Sequence, residues 1–151
     1  MTAFADSSAI VKLYADEDGH QTVRRSRDLL VSVLARVEVP AAIWRKQRAG
    51  ELSSGHATVL TADFEADFFG DPTTAARFTV VAVTAAILDG AARACAVHGL
   101  RAYDAIQLAS ATAVRAAVPD CTTFAAFDRS LRAAAAAEGF ALLPADLPGS
   151  G

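Results

Sequence analysis

The spacing of apolar positions changes repeatedly along this chain, and the changes mark out its elements. Residues 2–6 form a short apolar run that stops at Asp6. Ser7 and Ser8 follow, then Ala9, Ile10, Val11 and Leu13, which predicts a strand turning into a helix with a hydroxyl or carboxylate cap. Residues 18–28 are polar with scattered apolar positions and predict a second, exposed helix. Leu29 to Leu34 is a continuous apolar run of strand length. Residues 36–50 read as a helix, with Gly50 near its end. Residues 53–69 read as another, with Val59, Leu60, Phe64, Phe68 and Phe69 on its apolar side, broken by Asp71-Pro72. Phe78 to Val83 is rich in β-branched residues and predicts a strand. Helices follow over 84–98, stopped at His98-Gly99, and over 102–117, ending before Pro119. Thr122 to Phe127 predicts a strand, 128–138 a helix, and Phe140 to Leu143 a last short strand.

Solid apolar strands that alternate with helices indicate an α/β fold. The expected sheet has about five strands, mainly parallel, with helices on both faces. In such sheets a ligand site lies beyond the carboxyl ends of the strands.

Length adds that the 151 residues make one domain. Its expected extent is 1–143, with 144–151 as a loose tail rich in Pro and Gly. An apolar share of 53% excludes disorder throughout. Much of that share is alanine, as in Arg132 to Glu138, which favours helix. No apolar stretch reaches the roughly 18 uncharged residues of a membrane span. The opening Met-Thr-Ala-Phe-Ala-Asp lacks the basic start and long apolar run of a secretory signal. Cys95 and Cys121 stand far apart and outside any CxxC pattern, which fits reduced thiols in a cytoplasmic protein. The net charge of −3 weighs against a DNA-coating protein. It weighs less against a nuclease, where a metal-binding acidic cluster lowers the total.

The strand-end rule points to four carboxylates. Asp6 ends the first strand, Glu38 stands in the first helical turn after the second, and Asp128 follows the strand 122–127. Asp104 lies near the start of a helix, inside Arg101-Ala-Tyr-Asp-Ala-Ile-Gln-Leu-Ala109. Each alone has a plain explanation. Asp6 and Asp128 suit helix caps, and Glu38 suits the positive end of a helix dipole. Asp104 has apolar neighbours, and a buried carboxylate without a partner is costly. Gathered in one cleft, the four would repel each other, and some would be forced to protonate. A hard divalent cation such as Mg²⁺ or Mn²⁺ relieves that with oxygen ligands. The set does not suit structural zinc. It suits metal-assisted phosphodiester hydrolysis, in which one carboxylate also takes a proton from water.

Four segments resemble the motifs of PIN domains of the VapC type. They are Phe4-Ala-Asp6-Ser-Ser-Ala-Ile-Val-Lys-Leu13, Ser32-Val-Leu-Ala-Arg-Val-Glu38-Val, Leu100-Arg-Ala-Tyr-Asp104-Ala-Ile-Gln-Leu-Ala109 and Phe124-Ala-Ala-Phe-Asp128-Arg-Ser-Leu131. They occur in order and span nearly the whole chain. The resemblance implies a three-layer α/β/α sandwich and a Mg²⁺- or Mn²⁺-dependent endoribonuclease, the toxin of a toxin–antitoxin pair. It implies Asp6, Glu38, Asp104 and Asp128 as metal-binding, catalytic acids. Ser8, preferred to Ser7 by analogy, would contact phosphate or a water on the metal. It further implies a VapB-type antitoxin that sends a basic residue into the acidic cleft, and a homodimer or toxin–antitoxin hetero-oligomer. Many relatives carry Thr or Ser two residues before the fourth acid, where this chain has Ala126, so one hydroxyl is missing.

Among the basic residues, Lys12 lies one turn after Ser8 and Arg101 three residues before Asp104, which makes both candidates for substrate contact. Arg24, Arg25 and Arg27 form one basic group, and Arg45, Lys46 and Arg48 another, each either facing RNA phosphate or simply solvated. His20, His56 and His98 lack metal-ligand spacing. Trp44, Phe64, Phe68 and Phe69 fit packing better than base stacking, and Val39, Ile43 and Trp44 suggest an exposed apolar face for dimerisation. A haloacid-dehalogenase-like phosphatase needs an Asp two residues after the first, where Ser8 stands. A receiver-like domain expects adjacent early acids and a late Lys, but Ser7 follows Asp6 and no Lys follows Lys46. A PIN fold that binds RNA or a partner without cutting is the remaining alternative.

Overall fold

Five strands form where the apolar runs predict them, each shorter than its run. The computed structural model describes residues 2–147. In chain order the elements are β1 (Thr2–Ala5), α1 (Ser7–Val11), α2 (His20–Arg24), β2 (Asp28–Ser32), α3 (Ala35–Arg48) and α4 (Ser54–Phe69). There follow β3 (Thr79–Val81), α5 (Ala85–His98), α6 (Ala102–Ala117), β4 (Thr123–Ala125), α7 (Arg129–Ala137) and β5 (Ala141–Leu143). The sheet runs β3-β2-β1-β4-β5, and every pairing is parallel.

The alternation of side chains across the strands sets the layers. Ala3, Ala5, Leu29 and Val31 face one cluster with Ile10, Val39, Ile43, Leu60 and Phe64, so α1, α3 and α4 cover that face. Phe4, Leu30 and Phe124 face the other with Ile87, Leu108, Leu131 and Ala134, from α5, α6 and α7. Phe4 sits at the centre of the sheet, in register with Leu30 and Phe124, and stacks on the Phe124 ring at 5.7 Å between centroids. The result is the α/β/α sandwich that the resemblance implies.

The departures have local causes. β3 is an edge strand whose ladder is only Leu30 to Ser32, so Phe78 and Val83 fall outside it. The polar segment 18–28 yields only five helical residues. It starts at Gly19, whose φ is +83° and where an added Cβ would fall 2.6 Å from the Phe127 ring, so no side chain fits. On α4 the buried residues are Ala57, Leu60, Phe64 and Phe68, while Val59 and Phe69 turn outward. Val39 and Ile43 are fully buried in the first cluster and Trp44 packs against it, so that face is core and does not serve dimerisation. Of the segment 144–151, Ala145 is held by the Arg132 guanidinium at 3.0 Å, and residues 148–151 lie outside the described residues. No helix among the described residues is long and apolar enough to cross a membrane.

Candidate active site

The chain passes from β1 to β2 on one side and has β4 on the other, so a crevice opens at the carboxyl end of β1. The Asp6 backbone N–H donates to Ala125 O at 3.0 Å and closes the β1–β4 edge of that crevice. Asp6 caps α1. Its Oδ1 accepts from the Ala9 N–H at 3.0 Å and the Ser8 hydroxyl at 2.6 Å. Only 5% of the residue is exposed. Burial pushes its pKa up to about 7, the Glu38 and Asp104 charges add to the rise, and the Ser8 and Ala9 bonds oppose it. Asp128 caps α7, its Oδ1 accepting from the Leu131 N–H at 2.9 Å. The plain capping role expected for both residues is therefore real, and it occupies one oxygen of each.

Glu38 lies in the first turn of α3. Its Oε1 accepts from the Ser7 hydroxyl at 3.0 Å and from Gln107 Nε2 at 2.8 Å. Asp104 opens α6, and the largely exposed Arg101 reaches its Oδ2 at 3.4 Å. Burial raises the Asp104 pKa, the Asp128 charge adds to this, and Arg101 opposes it. The four acids thus interact in a chain, Glu38 and Asp104 with Asp6, and Asp128 with Asp104. Among the described residues, each of them keeps one oxygen without a hydrogen bond.

The PIN domain model matches residues 3–137. The chain belongs to the PIN domain family. It is also similar in structure to the Mycobacterium tuberculosis toxin VapC20, described as sarcin-ricin loop cleaving, with a TM-score of 0.59. The likeness covers 92% of this chain and 96% of that one at 19% identity, and so concerns the fold alone. No curated protein matches the chain.

The other expected site residues of this PIN domain divide. Ser8 lies at the acids, but its hydroxyl donates to Asp6 and accepts from the Phe127 N–H at 3.1 Å. Arg101 lies at the rim beside Asp104. Lys12 is buried. Its ammonium pairs with Glu17 at 2.9 Å and lies 4.2 Å from the Phe127 ring centroid. Burial lowers its pKa, and the neighbouring Lys46 charge adds to that. Ala126 is fully buried within the second cluster. The three histidines lie away from the acids, His20 on Glu17 O, His98 on Glu138 and His56 exposed on α4. Cys121 is buried, Cys95 half-buried, and both are free thiols.

Sequence reading missed Gln107 and the site role of Ser7. The signal for Gln107 was its place three residues after Asp104, on the same side of α6. A cavity of about 370 Å³ reaches the site through Ser8, the hydrogen-bond partner of Asp6, and is lined by Lys12, Glu17, Arg45, Lys46 and Phe127 among others but by none of the four acids. A larger cavity of about 900 Å³, between α5 and α6, is mostly apolar and contains none of the four acids.

A divalent cation, which PIN nucleases generally use, fits the donor set. The acids offer oxygens only, which suits a hard ion, and their mutual repulsion reverses sign around one. Among the described residues, no group of three or more acidic, His or Cys side chains already stands close enough to hold an ion. Repelling carboxylates would have to draw inward to do so.

Proposed function

We propose that this PIN domain is a Mg²⁺- or Mn²⁺-dependent endoribonuclease, the toxin of a VapBC-type pair. The observation that carries the reading is Asp6, buried at the β1–β4 crevice and driven toward protonation by burial and by two neighbouring acids. A cap alone needs no such crowding. The family match and the VapC20 likeness support the same reading.

Asp6, Glu38, Asp104 and Asp128 would hold the cation, which supplies charge for the phosphodiester oxygens and a more acidic water. The chain does the rest. Ser8 and the Ala9 N–H fix Asp6 in one orientation. Asp104 keeps Oδ1 open at the rim, where it can accept a proton from the attacking water. Arg101 is exposed beside it to meet a phosphate, and Lys12 with Lys46 lines the adjoining cavity.

The partners follow from the family resemblance, and the site's charge suits them. RNA meets the basic rim, and a VapB-type antitoxin inhibits by placing a basic residue among the carboxylates. A homodimer or toxin–antitoxin hetero-oligomer belongs to the same reading. Val37 and Val97, 70% and 73% exposed, are among the exposed apolar residues that could serve it. The alternative, a PIN fold that binds without cutting, draws on the open arrangement of the acids.

RNA cleavage by the purified protein with Mg²⁺, Mn²⁺ or EDTA, beside Asp104→Asn, tests the proposal. Cleavage that needs both metal and Asp104 is expected. A folded, metal-supplied protein that cuts no RNA supports the binding module instead.

A further inference from the structure

We infer that Gln107 is a positioning residue that fixes Glu38 as a preorganised cation ligand. The inference rests on the metal-dependent reading of the acidic site.

Gln107 is 2% exposed on α6. Its Nε2 donates to Glu38 Oε1 at 2.8 Å and to Ser7 Oγ at 3.3 Å, and Ser7 Oγ donates to the same Oε1 at 3.0 Å. One small triangle therefore ties α1, α3 and α6 together at the crevice. Both bonds to Glu38 land on one oxygen. The other stays open on a carboxylate that can no longer swing freely.

Preorganisation of this kind lowers the entropy lost when a ligand is captured. A glutamate on two freely rotating carbons would otherwise have to be immobilised by the cation itself.

The opposite end of the amide argues for function over stability. Gln107 Oε1 is buried and has no hydrogen-bond partner. An unpaired buried acceptor is destabilising, whereas an apolar side chain of similar size carries no such penalty. Packing alone would favour Leu or Met here. What the amide adds is a donor for Glu38.

The test is Mn²⁺ binding to the RNA-free protein, measured by calorimetry, with melting temperature recorded on the metal-free samples. The variants are Gln107→Leu and Gln107→Met. Ser110→Ala, which removes another buried, unpartnered side-chain oxygen from α6 and breaks no hydrogen bond of the triangle, is the control. Both Gln107 variants are expected to weaken Mn²⁺ binding about tenfold, with melting temperatures at or above the parent's. The control is expected to bind Mn²⁺ as the parent does. Unchanged Mn²⁺ affinity in a folded Gln107 variant overturns the inference. So does weaker binding that comes with an equal loss of melting temperature in both variants, because Gln107 is then a structural strut. A parent protein that binds no Mn²⁺ fails the metal-dependent reading and this inference with it. A parent that binds alongside variants that bind equally fails this inference alone.

Discussion

The Ser8 hydroxyl donates to Asp6 Oδ1 at 2.6 Å while its oxygen accepts from the Phe127 N–H at 3.1 Å. Ser8 therefore stitches the end of β1 to the loop after β4. It also favours the ionised form of Asp6 against the burial that opposes it. Removing the hydroxyl leaves burial less opposed, so the Asp6 pKa rises further. Ser8→Ala is expected to weaken Mn²⁺ binding about tenfold at pH 7, from a charge-assisted bond worth roughly 1.5–3 kcal/mol. The deficit should shrink at pH 8.5, where Asp6 ionises regardless. A deficit independent of pH would show that Ser8 acts on metal or phosphate directly.

Asp6 also predicts how stability depends on pH. Its folded pKa is about 7 against an ordinary 3.8, so the folded protein holds this proton more tightly than the unfolded chain. That contribution is fully present below about pH 4 and is lost as pH rises through about 7. The displacement corresponds to at most about 4 kcal/mol. Asn keeps the helix cap but carries no titrating charge. In EDTA, Asp6→Asn should gain on the parent in melting temperature from pH 4 to pH 8. Parallel curves for the two proteins would remove the buried charge from the account.

For the same reason Asp6→Asn and Asp104→Asn should abolish cleavage with the fold intact. Each removes one charge from a group that repels itself. Neither substitution creates a cavity or strands a buried charge. Thermal melts beside the cleavage assay check both halves, and full activity in either variant would sink the assignment of the acids.

The layers and the places of Asp6 and Asp128 were legible because a strand end is a local event. Asp6 and Asp128 each follow an apolar run, so a parallel sheet puts both at the same edge, after the neighbouring strands β1 and β4. Gln107 was not legible in the same way. An amide within an apolar helix becomes chemical only when α3 brings Glu38 to within 2.8 Å of it. The ion pair of Lys12 was not legible either, because its partner Glu17 lies beyond the helix end, where periodicity says nothing. Val39 and Ile43 were misjudged as exposed because α3 lies under α4, a packing that no single-helix pattern records.

Ala126→Thr separates the missing hydroxyl from the packing around it. Ala126 is fully buried among Phe4, Phe124 and Leu131, so Thr adds two heavy atoms to closed space. Overpacking of this kind typically costs about 1–3 kcal/mol. A melting temperature lower by several degrees is expected, at roughly 2–4 °C per kcal/mol. Activity per folded molecule should match or exceed the parent's. An undiminished melting temperature would show unused room at this position, and a clear loss of activity would show that a hydroxyl there disturbs the acids.

Glu17 supplies the last prediction, because one carboxylate holds two lysines. It pairs with Lys12 at 2.9 Å and also with Lys46. Both lysines and Arg45 line the cavity that reaches the site through Ser8. An RNA strand laid there meets three cations whose field Glu17 reduces. Glu17→Gln removes that reduction but leaves the buried Lys12 ammonium without its ion pair, an arrangement that typically costs several kcal/mol. Stability and RNA affinity should therefore move in opposite directions. In an Asp104→Asn background, where RNA stays uncut, Glu17→Gln is expected to bind single-stranded RNA several-fold more tightly. Its salt dependence should steepen by about 0.7 in log–log slope for each additional phosphate that the freed cations neutralise. Lys12→Met should weaken binding and flatten the slope. If Glu17→Gln melts earlier yet binds RNA with unchanged affinity and slope, the strand does not cross this cavity. The cluster of Lys12, Glu17 and Lys46 is then a clamp that holds α1 to α3 beneath the site.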